Sequence, residues 1–132
     1  MIITFVNLID FLARILISAV FIFSGVNKYL NYDTTIQWME GYGLPGIFLI
    51  PAIIFEILLP ILLIIGYKSK AAAFLLFLFC IVTAFIFHFD YSNQIQVISF
   101  LKNIGLAGGL LFLILNGTKG WALERKKKYV RM

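Results

Sequence analysis

The segment from residue 46 to residue 66 reads GIFLIPAIIFEILLPILLIIG, and it decides the fold. It is long enough to cross a bilayer as one helix, because a spanning helix needs about 20 mostly apolar residues. Its one charged residue is Glu56, near the middle. A charge at that depth costs roughly 2.5–3.5 kcal/mol on insertion scales, and such residues usually face a partner or a water-filled cavity. The segment therefore predicts a helical membrane protein built around a polar site.

The composition extends this interpretation to the whole chain. Of its 132 residues, 62% are hydrophobic and 13% are charged, whereas soluble domains are about half apolar and about a quarter charged. Residues 5–26, 71–88 and 96–115 are three further apolar segments that meet the same criterion. The expected fold class is all-α, a transmembrane four-helix bundle that forms a single domain over residues 1–132.

The first loop between spans, residues 29–45, is the longest one. Thr34 and Gln37 fit a capping box, and glycines and Pro45 follow, so a short interfacial helix is expected over residues 35–41. Trp38 and Tyr42 are expected at the depth of the lipid head groups. The loop either anchors the chain at the interface or also covers that end of the bundle.

The basic residues predict the orientation. Of the nine Lys and Arg residues outside the spans, eight lie in the second-to-third loop or in the tail of residues 116–132. Positively charged loops stay in the cytoplasm, so both termini are expected there. A basic run beside a span interacts with anionic lipid head groups, and a nucleic-acid partner is therefore not expected.

Several polar residues within or beside the spans are candidates for a pocket. Arg14 and Glu56 lie at similar depth when residues are counted at about 1.5 Å each, so they are expected to pair, and Asp10 is a second candidate partner for Arg14. Two interpretations stay open: a structural ion-pair network, or a pocket or proton path that opens outward. The full set of pocket candidates is Arg14, Lys28, Glu56, His88, Lys102 and Asn103, with Trp38 and Tyr42 at the rim.

Other residue types limit the chemistry. Cys80 is the only cysteine, which excludes a dithiol within the chain, and a single histidine without neighbouring ligands predicts no metal site. The sequence Gly105-x-x-x-Gly109 favours close helix packing within the chain over dimerisation, although a homo-oligomer stays open.

Motifs along nearly the whole chain resemble the DoxX family of small four-span bacterial membrane proteins. They are Arg14, FSGVNKYLNYDTTIQWMEGYGLP at 23–45, Glu56, IGYKSKAAA at 65–73, His88, FLKNIGLAGGLL at 100–111 and NGTKGWALERK at 116–126. Lys70 stands where members often carry arginine, and Glu124 precedes Arg125 where Asp–Arg is common. The resemblance implies a bacterial plasma (inner) membrane location and a link to redox systems, since one named member is a membrane subunit of a thiosulfate:quinone oxidoreductase.

Three functions are consistent with these features. The first is a quinone-linked or oxidoreductase-associated membrane subunit with an outward-facing polar pocket, whose cofactor would be a quinone. The second is a non-enzymatic membrane module that binds a small molecule or a partner protein. The third is a small transporter. The sequence assigns no catalytic residue and does not decide whether the chain has an activity of its own.

Overall fold

Five α-helices make up most of the chain, whose computed structural model describes residues 1–124. They are α1 (Ile2–Leu30), α2 (Tyr32–Gly41), α3 (Leu49–Ile65), α4 (Ser69–Phe87) and α5 (Gln94–Asn116), with a short 3-10 turn at Gly46–Phe48 before α3. Four stretches are long and apolar enough to cross a membrane: Ile2–Leu30, Gly46–Ile65, Ser69–Phe87 and Gln94–Asn116. The expected all-α transmembrane four-helix bundle with a short additional helix is confirmed.

The four long helices pack as two antiparallel pairs, α1 against α3 and α4 against α5, joined by contacts between α3 and α4. The core between them contains Leu63, Ala73, Leu76 and Leu110, all fully buried. The outer faces are apolar as well, and Phe112 and Leu115 are 70% and 75% exposed. Such a surface is unfavourable in water and suits lipid, because lipid tails are as apolar as the side chains themselves.

The bundle has two distinct ends. The end formed by residues 31–48 and 88–93 is called the loop end, and the end that holds residues 1–9, 66–68 and 117–124 is called the terminal end. Helix α2 packs at the loop end, where Met39 is buried with Leu49 and Phe87. The expected helix at residues 35–41 is present but begins earlier, at Tyr32.

The predicted capping box at Thr34 is not formed. Residue 34 lies inside α2, and the N-cap is Asn31, without a side-chain cap. The Thr35 hydroxyl instead donates to the Asn31 carbonyl at 2.7 Å, one turn back. The chain between α1 and α2 is a single residue, so α2 starts almost directly where α1 ends.

The two prolines of the second span have different effects. Pro51 lies in the first turn of α3, where no intrahelical bond is lost. Pro60 lies inside α3 and removes one backbone donor. Its own carbonyl accepts from the Ser18 hydroxyl of α1 at 3.1 Å, a bond that helps to fix how α1 lies along α3.

The chain after α5 folds back over the terminal end. The N–H groups of Leu123 and Glu124 donate to the carbonyls of Ile65 and Gly66 at 2.8 and 2.9 Å. Gly66 ends α3 with φ of 71°, and a Cβ there would clash with the Cβ of Ala122, so only glycine suits both the turn and the contact. Of the predicted basic tail of residues 116–132, residues 125–132 lie outside the described part of the chain.

Gly105 and Gly109 of α5 were expected to allow close helix packing within the chain. A Cβ at Gly109 would lie 3.3 Å from Cδ1 of Ile17, so this glycine does pack against α1. Gly105 has nothing within 4 Å of its Cβ position among the described residues. Packing within the chain therefore uses Gly109 and not Gly105.

Candidate functional site

A partly buried ion pair lies between α1 and α3. The Lys28 ammonium donates to Oε1 and Oε2 of Glu56, both at 2.7 Å, and to the Ser24 hydroxyl at 2.9 Å. Ser24 in turn donates to Glu56 Oε1 at 3.3 Å. The side chain of Glu56 is 4% exposed and that of Lys28 is 24% exposed. All three N–H groups of the ammonium are thus in use, and the pair is neutral as a unit.

The sequence of α1 explains how this pair forms. Ser24 and Lys28 are four residues apart, which places both on one face of the helix. Gly25 lies between them and lets α1 approach α3 closely, since a Cβ at this position would lie 2.8 Å from Cγ1 of Ile57 and 3.1 Å from Cβ of Glu56. The lysine arm is long enough to reach from the last turns of α1 to a carboxylate inside the bundle.

Arg14 does not pair with Glu56, contrary to the expectation. Its guanidinium is buried and donates to Asp10 Oδ2 at 3.1 Å and to the carbonyls of Leu63 and Ile64 at 3.0 and 2.7 Å. It also donates to the carbonyl of Trp121, in the segment that folds back after α5. The alternative partner Asp10 is therefore the carboxylate that Arg14 uses.

The physical reason is the relative position of the two helices. Arg14 lies opposite Leu63, which is about 10 Å along α3 from Glu56 at 1.5 Å per residue. Helix α1 begins at Ile2 and is 29 residues long, whereas α3 ends at Ile65. The predicted depths of Arg14 and Glu56 were counted from the expected ends of their spans, which requires both helices to end at the same plane. In the structure α1 extends well beyond the end of α3.

A cavity of about 420 Å³ lies beside the Lys28–Glu56 pair, in the half of the bundle nearer the loop end. Its wall is mostly apolar, with polar groups at a few points, which is the usual character of small-molecule sites. Helices α1, α3, α4 and α5 form the sides and α2 contributes to the loop end. The lining residues are Val20, Phe21, Ser24, Lys28, Thr35, Trp38, Met39, Leu44, Phe48, Leu49, Pro51, Ala52, Phe55, Glu56, Phe79, Cys80, Val82, Thr83, Ile86, Phe87, His88, Asn103 and Leu106.

Asn103 and Thr83 form a second polar point in the wall. The Asn103 amide donates to the Thr83 hydroxyl at 3.4 Å, and that hydroxyl donates to the Phe79 carbonyl at 2.8 Å. Lys102, the neighbour of Asn103, does not line the cavity and its side chain is exposed on the outer face of α5. Adjacent residues on a helix point about 100° apart, and the structure turns one inward and the other outward.

The loop end of the cavity is aromatic. Trp38 of α2 stacks on Phe87 with ring centroids 4.5 Å apart, and its centroid lies 6.4 Å from that of His88. Nδ1 of His88 lies 2.7 Å from Oε1 of Gln96, a bond that joins the end of α4 to the start of α5. Tyr42 packs edge-on against Trp38 at 5.1 Å but is not part of the lining.

The structure therefore brings five of the eight sequence candidates to one cavity, namely Lys28, Glu56, His88, Asn103 and Trp38. Arg14, Lys102 and Tyr42 lie outside it. Lys28 lines the cavity beside Glu56, and its side chain is 24% exposed. Sequence reasoning missed Ser24, Thr35 and Thr83 as polar lining residues, and the only signal for Ser24 was its place one turn before Lys28.

The described residues contain no cluster of metal ligands. Over residues 1–124 no three His, Cys, Asp or Glu side chains come together in a way that could hold a metal ion. Cys80 lines the cavity, is buried, and is not in a disulfide. The cavity therefore offers hydrogen bonds and apolar surface to a ligand.

A separate polar cluster holds the terminal end together. Glu124 accepts from the Ser69 N–H at 2.6 Å, from the Ser69 hydroxyl at 2.7 Å and from the Thr118 hydroxyl at 2.9 Å. Partial burial raises the pKa of Glu124, but these bonds and the charge of Arg14 outweigh it and hold the pKa below its usual value. Asp10 also accepts from the Lys119 N–H at 3.1 Å, so the cluster ties the folded-back segment to α1 and α4.

Comparisons with known proteins find relatives that are named inner membrane proteins. The chain is similar to "Inner membrane protein YqjF" of Escherichia coli (strain K12), with 32% identity over 113 residues that cover 86% of this chain and 87% of the relative. It is also similar to "Inner membrane protein YphA" of the same organism, with 30% identity over 122 residues and 87% of each chain covered. No solved structure gives a significant match. The family model described as DoxX matches residues 9–89, and the chain therefore belongs to the DoxX family of integral membrane proteins.

Proposed function

We propose that the cavity binds the ring of a quinone and that the chain is a membrane subunit associated with an oxidoreductase in the bacterial inner membrane. The observation that carries the proposal is the cavity of about 420 Å³ inside four spanning helices, with an aromatic end and few polar points. Its volume lies within the range of small-molecule sites, about 300–1,000 Å³. The two relatives are named inner membrane proteins, which supports the location.

The charges of the cavity suit an uncharged ligand. Lys28 and Glu56 neutralise each other, and the ammonium has no N–H group left for a ligand while the pair is intact. A charged ligand would have to break this pair in a site of low polarity, at a cost of several kcal/mol. A quinone ring carries no charge and can leave the pair unbroken.

Hydrogen-bond donors for the two quinone carbonyls come from the rest of the lining. The Asn103 amide carries two N–H groups, of which one is donated to Thr83. The Trp38 indole is a donor at the loop end, and His88 can contact a ligand only through Nε2, because Nδ1 is engaged with Gln96. The flat rings of Trp38 and Phe87 offer stacking surface to the ligand ring.

Electrons must come from another protein in this proposal. Cys80 is the only cysteine of the chain, so a dithiol within the chain is excluded. An oxidoreductase partner would supply or accept electrons, and this chain would hold the quinone beside it. The eight basic residues in the second-to-third loop and the tail favour cytoplasmic termini, and the cavity would then face outward.

The alternative is a non-enzymatic membrane module. It is favoured by the way in which the polar groups satisfy each other: over residues 1–124 no buried side-chain nitrogen or oxygen lacks a hydrogen-bond partner. Such groups stabilise a bundle without any ligand. In that case the cavity would be completed or filled by a partner protein.

Quinone retention distinguishes these proposals. The protein is extracted gently from quinone-containing membranes, and its quinone content is measured for the wild type, Asn103→Ala and Lys102→Ala. We expect quinone in the wild type, a several-fold lower content in Asn103→Ala and an unchanged content in Lys102→Ala, because residue 102 lies outside the cavity. A folded wild-type protein that carries no quinone and binds none when supplied would reject the proposal and favour the non-enzymatic module.

A further inference from the structure

The cavity has an apolar opening on its side. Phe48, Pro51 and Phe55 line it from the 3-10 turn and α3, and Val82 and Ile86 line it from α4. All five are also exposed, among them Phe48 at 51% and Val82 at 52%, and two lining residues of other helices, Val20 of α1 and Trp38 of α2, are exposed at 48% and 41%. A side chain that both lines a cavity and reaches the outer surface lies at the edge of an opening. The five residues of the 3-10 turn, α3 and α4 frame an apolar opening between α3 and α4, which we call the side slot.

The connection between the two helices explains why the slot lies in this half of the bundle. Helices α3 and α4 are joined by the short turn of residues 66–68 at the terminal end. Near that turn Leu63 packs in the same core as Ala72, Ala73 and Leu76. Nearer the loop end the cavity lies between the two helices, and beyond it Leu49 of α3 and Phe87 of α4 pack in the cluster that contains Met39.

The slot faces lipid. Its residues belong to the stretches Gly46–Ile65 and Ser69–Phe87, which are both long and apolar enough to span a membrane. From Phe48 to Phe55 the slot extends about 10 Å along the bundle at 1.5 Å per residue. Its edges carry no polar side chain, whereas the polar residues Lys28 and Asn103 line the cavity from α1 and α5.

We infer that the ligand is a tailed amphiphile that enters from the bilayer, with its polar ring in the cavity and its hydrocarbon chain leaving through the side slot. The inference rests on the proposed function and adds the class of quinone and its route. A polar wall on one side of a cavity and an apolar opening to lipid on the other fit one molecule that has both a polar and an apolar part. A water-soluble ligand would gain nothing from an apolar exit into the acyl chains.

The first test blocks the slot without touching the polar wall. Val82→Trp places an indole at the edge of the slot, and Leu78→Trp is the matched control, because Leu78 lies one turn away on α4, is 42% exposed and does not line the cavity. Binding of a quinone with a long isoprenoid tail and of the same ring with a short alkyl group is measured in lipid nanodiscs, with ligand expressed per lipid.

We expect Val82→Trp to weaken binding of the long-tailed quinone about tenfold or more, to change short-tailed binding less than threefold, and Leu78→Trp to change neither. Equal binding of both ligands to Val82→Trp and wild type would overturn the slot while leaving the cavity as a quinone site. Binding of neither ligand to the wild type would reject the proposed function itself.

A second measurement does not depend on how the variant folds. A quinone with a photoreactive group at the end of its tail is bound to the wild-type protein and cross-linked. We expect adducts on the lipid-facing residues around Phe55 and Val82. Adducts confined to α2 would mean that the chain leaves at the loop end, and they would overturn the inference even if the ring is bound in the cavity.

Discussion

Replacing Lys28 of the Lys28–Glu56 pair should lower the free energy of unfolding more than replacing Glu56. In Lys28→Met the carboxylate of Glu56, a residue 3% exposed overall, keeps only the Ser24 hydroxyl at 3.3 Å. Removal of one partner from a buried ion pair costs ~3–5 kcal/mol, because the remaining charge is uncompensated. Glu56→Gln leaves the lysine, whose side chain is 24% exposed, with Ser24 and an amide oxygen, so we expect a smaller loss of ~1–3 kcal/mol.

The double variant tests whether the two residues act as a pair. Lys28→Met with Glu56→Gln contains no unpaired charge, and its loss of stability should be smaller than the sum of the single losses by ~1.5 kcal/mol or more. The free energy of unfolding is measured by SDS titration in mixed micelles, followed by helical circular dichroism.

A control cycle combines Arg14→Lys with Glu56→Gln. These side chains share no partner in the structure, so their effects should add within ~0.5 kcal/mol. Additive losses of stability for Lys28 and Glu56 would show that these two residues do not pair. Coupled losses for Arg14 and Glu56 would show that Glu56 pairs with Arg14, as the sequence predicted.

Three further results are expected. Gly25→Val should destabilise the protein by ~1–3 kcal/mol, because its Cβ would meet α3 at 2.8 Å, whereas Gly105→Ala, with nothing within 4 Å, should be neutral or stabilising in the same SDS titration. The pKa of Glu124 is lowered in the folded protein, so its stabilising contribution is present above its unfolded pKa and is lost as the pH falls through the lowered value. Protection of residues 117–124 from hydrogen exchange, compared with an unstructured peptide at the same pH, should therefore fall in acid for the wild type and change little with pH in Glu124→Gln. A periplasm-active reporter should be silent after the C-terminus and active within residues 32–42, and the reverse pattern would contradict the proposed orientation.

The fold could be predicted because hydropathy alone specifies the spans. Each spanning helix must satisfy its backbone hydrogen bonds internally, so a long apolar segment has few alternatives. The predicted start of α2, at residue 35, is three residues later than the observed start at Tyr32. The N-cap residue Asn31 makes no side-chain hydrogen bond to the helix, so no capping motif marks this start. The return of residues 117–124 to the terminal end depends on Arg14 and Glu124, which are far apart in the sequence.

The candidate site was predicted in part. The helical period is enough to place Ser18, Gly25 and Lys28 on one face of α1, but it does not specify the axial position of α1 against α3. That position comes from contacts between distant residues, such as Ser18 with Pro60, and it decides that Glu56 meets Lys28 and not Arg14. The same limitation applies to Lys102 and Asn103, whose 100° separation leaves open which of them faces inward.

Quenching of Trp38 by a quinone tests the central claim most directly. Trp121→Phe leaves Trp38 as the only tryptophan of the chain and keeps an aromatic ring against Phe11. Because Trp38 lines the cavity, titration of a quinone into nanodiscs that contain this variant should quench its fluorescence to a saturating level at one quinone per protein. The same titration with Asn103→Ala added should need several-fold more quinone. Quenching that rises without saturation, and equally in both variants, would mean that quinone reaches Trp38 only from the lipid and that the cavity does not bind it.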